Sequence, residues 1–129
     1  MTPLPFRRVA PVLDAVCLVV FVAIGREQHD LDSTGVGWFL TVLWPLAVGW
    51  IVGALVTRVY VRSDWWWLRL VGTVAVAALL DALLRGTFTD RGYLSVFTIV
   101  LFLFNCLTTF AWRAVWLGAA RVRRPAPVR

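Results

Sequence analysis

Asp14 and Arg113 carry charge where charge is least expected. Asp14 interrupts one apolar run, residues 9–25, and Arg113 stands near the end of another, residues 94–117. In hydrocarbon a carboxylate must find a cation or take up a proton, because the isolated ion is poorly solvated there. The two residues lie at comparable depth, so a pair between neighbouring helices would satisfy both. Without that pair, Asp14 would be a protonated carboxyl. In one reading the pair is a structural clamp between helices; in the other Asp14 is a gate or proton site.

A second set lies at the other side of the apolar layer. Asp81 and Arg85 are four residues apart and share one helical face, continuing a stripe through Val74, Ala77 and Ala78. Arg26 and His29, just beyond the first apolar run, reach a similar level, so Arg26, His29, Asp81 and Arg85 form a candidate outer charged cluster. His29 is the single histidine. One imidazole could act as a base, but it excludes a bis-histidine haem within one chain and is a poor metal signal. A solvated or hydrogen-bonded loop residue is the simpler reading. No catalytic residue, metal or cofactor is expected.

The fourth apolar run carries the most informative spacing. Thr98, Asn105, Thr109, Trp112 and Trp116 fall on one side at about 100° per residue. A polar stripe through the depth of a membrane helix should face the bundle interior or a water-filled path. Together with Asp14 and Arg113, residues Thr98, Asn105 and Thr109 are therefore the candidate intramembrane pathway. Hydrogen bonding between helices explains such a stripe equally well. Gly49 and Gly53, spaced G-x-x-x-G, make a close-packing face, within the chain or between copies. Pro45 should kink the helix that carries them.

These residues need elements to hold them, and composition decides which. Of 129 residues, 60% are hydrophobic and 16% charged, against roughly 45–50% and about 25% in soluble domains. The mean hydropathy is +0.80. A soluble fold of this size could not hide so much apolar surface. Four runs, residues 9–25, 36–56, 65–84 and 94–117, approach or exceed the ~20 residues a helix needs to cross hydrocarbon. They are continuously apolar and not alternating, which excludes a β-barrel. The short connections predict an all-α, up-and-down four-helix transmembrane bundle over residues 1–120 and a basic tail over 121–129. The first run resembles a signal peptide, with Arg7 and Arg8 ahead of it, but Asp14 interrupts it and no A-x-A site follows, so it reads as a span. Cys17 and Cys106 lie in apolar runs and imply no disulfide framework.

Charge sets orientation and partners. All 13 basic residues are Arg, and the net charge is +6. In a soluble chain this would suggest nucleic acid; beside apolar runs it signals topology and anionic lipid headgroups instead. Ten arginines, Arg113 included, fall on the side of the termini and three on the other. The positive-inside rule therefore places both termini in the cytoplasm. Trp65, Trp66 and Trp67 stand where an interfacial belt belongs. Exclusive Arg with abundant Ala, Val and Leu is associated with GC-rich bacterial genomes, so the expected location is a bacterial inner membrane. A homo-oligomer is compatible with the glycine face.

Asp14, then Gly25-Arg26-x-x-His29 closing the first span, then Trp44-Pro45 and Gly49-Trp50 in the second, resembles family 3054 of the domains of unknown function. The resemblance runs from about residue 13 to 113. It implies a four-pass membrane protein of a kind found mostly in actinobacteria and some archaea, with no established activity or catalytic residue to carry over. The dual-topology fluoride channels have similar length, but their Thr-Thr-Phe-Ser segment is matched only partly, Ala111 standing after Thr108-Thr109-Phe110.

Three functions remain open. A small permease or channel-like protein for an ion or small solute would use the stripe of the fourth span with Asp14. A structural or assembly protein would pack on other membrane proteins through Gly49 and Gly53. An enzyme on lipid or quinone, with His29 as base, has the least support, because no P-loop, HExxH, CxxC or G-x-S-x-G motif accompanies it.

Overall fold

Each apolar run becomes a helix because backbone amides in hydrocarbon can be satisfied only within their own segment or in a closed barrel. The computed structural model describes residues 4–28, 36–62, 64–88 and 96–123. They form α1 (Leu4–Gln28), α2 (Val36–Thr57), α3 (Trp66–Phe88) and α4 (Val96–Val122). All four are long and apolar enough to cross a membrane. α2, with 22 residues, is about 33 Å long at 1.5 Å per residue.

The helices run up and down in a square. α1 packs on α2 and α4, and α3 packs on α2 and α4, while the diagonal pairs make no close backbone approach among the described residues. The start of α1, the end of α4 and the α2–α3 turn thus share one end, here the terminal end; the other is the distal end. Large apolar side chains cover the outside, among them Leu55, Leu79, Leu107 and Val115, all more than half exposed. Polar and charged groups are buried within: Asp14, Thr73, Asp81, Arg85, Thr98, Asn105, Thr109 and Arg113. This inverted distribution is what a lipid solvent selects.

The helices are longer than the apolar runs that predict them. α3 continues past residue 84 to Phe88, because Arg85 is buried inside the bundle and gives the helix no reason to end there. α4 reaches Val122 and takes in Arg121, which the composition assigned to the tail. α2 continues as helix on both sides of the buried Pro45.

Gly49 and Gly53 explain why α2 and α3 make the closest pair. A Cβ on Gly49 would lie 2.7 Å from the carbonyl oxygen of Ala77, and one on Gly53 2.8 Å from that of Thr73. The two backbones touch where side chains are absent. Thr57 and Thr73 then join the same helices through their hydroxyls at 2.7 Å. This glycine face lies against α3 of its own chain, the first of the two placements its spacing allows.

The α2–α3 turn is held without glycine. Arg58 and Trp65 adopt φ of 54° and 52°, the left-handed region in which a non-glycine residue costs about 1 kcal/mol. Arg69 offsets this. It donates from Nη1 to the carbonyl of Thr57 at 2.6 Å, from Nε to the carbonyl of Asp64 at 2.8 Å and from Nη2 to the Asp64 carboxylate at 2.9 Å. Its first bond caps an otherwise open carbonyl at the end of α2.

Candidate functional site: a buried charge network and the polar face of α4

Asp14, fully buried on α1, meets Arg113 of α4 in a two-pronged ion pair. Arg113 Nη1 donates to Oδ1 and Nη2 to Oδ2, each at 2.7 Å. The planar fork of guanidinium matches the carboxylate, the geometry that makes such pairs strong. Trp112 Nε1 adds a bond to Oδ1 at 2.9 Å, and the Tyr60 hydroxyl donates to Oδ2 at 2.6 Å. Tyr60 in turn accepts from Trp50 Nε1 at 2.8 Å. The carboxylate therefore has four donors, drawn from α4 and the α2–α3 turn, while Trp50 adds α2 to the same network. Arg113 is further held by the Thr109 carbonyl at 3.2 Å and lies with its guanidinium carbon 4.4 Å from the Trp112 ring centroid.

Tyr60 is the part that sequence reading missed. It sits in a connection that reads as a charged loop, yet its phenol is half-buried beneath α1. Burial, then the negative charge of Asp14 and the hydrogen bond to it, push its ionisation above the ordinary 10.0. The signal that could have found it is stoichiometric: a carboxylate offers about four acceptor positions, and one arginine fills only two.

At the distal end, Arg85 Nε lies 2.9 Å from Oδ2 of Asp81 on the same helix, and both are buried. Its guanidinium carbon stands 4.1 Å from the centroid of Phe97 on α4. Arg26 belongs to α1, but its side chain lies outside the described residues, as does His29. The expected four-membered cluster is thus seen only as Asp81 with Arg85.

Between these pairs runs the face of α4. Thr98, Leu101, Asn105, Thr109 and Arg113 are its buried residues, so the polar stripe turns inward. Trp112 and Trp116 flank it, half-buried, with Phe6 of α1 against both rings. Asn105 Nδ2 bonds back to the Leu101 carbonyl at 2.9 Å, and Thr109 Oγ1 to the carbonyl of Asn105. Thr98 Oγ1, Asn105 Oδ1 and Asp81 Oδ1 are buried with no hydrogen-bond partner among the described residues. Buried polar atoms left this way are rare and unfavourable by about 1–3 kcal/mol each.

Two cavities adjoin the network. One of about 80 Å³ lies at the terminal end, beneath Tyr60 and Arg113, with Arg7 and Arg62 in its wall. The other, about 620 Å³, is an apolar groove between α1 and α2 lined by Ala15, Trp50, Ile51 and Leu55, with Arg58 and Tyr60 also in its wall. Among the described residues no group of three His, Cys, Asp or Glu could hold a metal.

This buried network falls within the stretch, residues 11–116, that matches the model of proteins of unknown function DUF3054. The chain belongs to the DUF3054 family. The match takes in Asp14, Tyr60, the α4 stripe and Arg113, so the whole network lies on the family's own segment. No curated protein and no solved structure matches this DUF3054 chain.

Proposed function

We propose that this DUF3054 protein is a small permease or channel-like protein that passes an ion or small solute along the polar face of α4. The observation that carries this reading is the column of buried polar groups beside two buried acid–base pairs. Asn105 and Thr109 share the buried face of α4 with Arg113, which pairs with Asp14, and Thr98 stands on that face next to Phe97, the ring against which Arg85 of the Asp81 pair lies. Orphan acceptors at Thr98 and Asn105 can bind a passing water, cation or proton donor. On this reading the described conformation is the closed one, because Leu101 is fully buried within the stripe. Passage then requires a second conformation in which Arg113 and Asp14 separate and Asp14 takes a proton or the solute takes its place.

The direction follows from charge. In the sequence, ten arginines, Arg113 included, fall on the side of the termini and three on the other, which supports a cytoplasmic location of both termini in a bacterial plasma membrane. A reporter fused after Arg129 tests this: activity of a cytoplasmic reporter is expected, and strong periplasmic activity would reverse the orientation.

One observation favours a second reading, a structural clamp. Asp14 has four donors, which ties α1 to α4 and to the turn whether or not anything moves. Flux separates the two. Purified protein in proteoliposomes should dissipate an imposed proton or small-solute gradient faster than protein-free vesicles. Equal rates for every ion and solute tried would leave the clamp as the function of the network.

A further inference from the structure

We propose that the cavity at the terminal end binds a phosphate-type anion, carried by a lipid headgroup or by a free phosphate. Three arginines reach it from three separate elements: Arg7 from α1, Arg62 from the α2–α3 turn and Arg113 from α4. The lining residues include no carboxylate. The nearest acids do not cancel the field. Asp14 stands behind Arg113 and neutralises that residue alone. Asp64 lies 3.7 Å from Arg62, with both side chains more than half exposed, and such a pair is worth little in water.

The division of labour follows from the hydrogen bonds already made. Arg113 turns both Nη atoms to Asp14, and Tyr60 spends its hydroxyl on Asp14 and Trp50. They form the floor. Arg7 and Arg62 are exposed, stand at the rim and can close on an anion with the forked geometry that suits phosphate oxygens. Phe6 and Trp66 form the apolar part of the cavity wall. About 80 Å³ holds a group the size of a few waters, a phosphate and not a nucleotide. The site stands independently of conduction through the core.

Native mass spectrometry of the full chain, with phosphatidylglycerol and phosphatidylcholine as the lipid probes, and calorimetry with inorganic phosphate test it. Wild type should retain a single phosphatidylglycerol in preference to phosphatidylcholine, or bind phosphate saturably; the first result identifies a headgroup site and the second a solute site. The double variant Arg7→Ala/Arg62→Ala should weaken that binding at least about tenfold, as loss of charged hydrogen bonds does. Both side chains are exposed, so unchanged helical circular dichroism is expected. Arg121→Ala/Arg123→Ala removes equal charge from residues that do not line the cavity and should bind as wild type. Equal loss in both double variants would show diffuse surface charge and overturn the site. Absence of saturable binding of either probe to wild type would overturn it too.

Discussion

Tyr60 donates its phenolic hydrogen to Oδ2 of Asp14 at 2.6 Å, although the two residues are 46 positions apart. The bond joins a surface turn to a carboxylate buried in α1. It also makes the turn answerable to the core: any motion that withdraws Asp14 must release Tyr60 and, through it, Trp50.

Tyr60 should therefore titrate late. The protein has two tyrosines, and ultraviolet difference spectroscopy of the folded chain should show Tyr60 still protonated above pH 10, where an ordinary phenol ionises. Because the folded value is raised, the stabilisation is complete below the unfolded value and declines as pH rises above it. Tyr60→Phe should abolish the late phase and lower stability by about 1–2 kcal/mol, leaving the Trp50 donor without its acceptor. A late phase persisting in Tyr60→Phe would assign it elsewhere.

The Asp14–Arg113 pair should behave as one unit. Asp14→Leu or Arg113→Met alone leaves a buried charge without its partner and should reduce stability by roughly 3–5 kcal/mol. The double variant Asp14→Leu/Arg113→Met should regain much of the loss, since apolar replacement of both partners removes the unpaired charge. Thermal unfolding in detergent measures all three. Additive losses would show that the two residues act separately.

Much of this was legible in the residues, for reasons that differ by element. The four helices follow from apolar runs because lipid leaves the backbone no alternative. The inward stripe of α4 follows from the same solvent acting on Thr98, Asn105 and Thr109. The proximity of Asp14 and Arg113 follows from matched depth. Tyr60 and Trp50 were not legible, because their approach depends on how the turn from Arg58 to Trp65 folds back, and two positive-φ residues set that path. The glycine pair was legible as a packing face but not as to its partner; that depends on Ala77 and Thr73 presenting bare backbone at the same heights.

Gly49→Ala should disrupt the α2–α3 contact. The added methyl meets a carbonyl oxygen of backbone at 2.7 Å, which cannot rotate away as a side chain would. A loss of about 1–3 kcal/mol in thermal unfolding is expected. Gly118→Ala, whose methyl would meet nothing within 4 Å, should be neutral or slightly stabilising. Equal tolerance of both would contradict the close approach.

Flux through Asn105→Leu tests the central claim most directly. Asn105 is fully buried midway along the stripe, with Oδ1 unpartnered among the described residues. Leucine is apolar and similar in bulk. If the α4 face is a pathway, Asn105→Leu proteoliposomes should lose the wild-type flux while the helical signal and melting temperature are maintained. Unchanged flux with a lowered melting temperature would contradict the pathway and make the stripe a set of bonds that holds the bundle together.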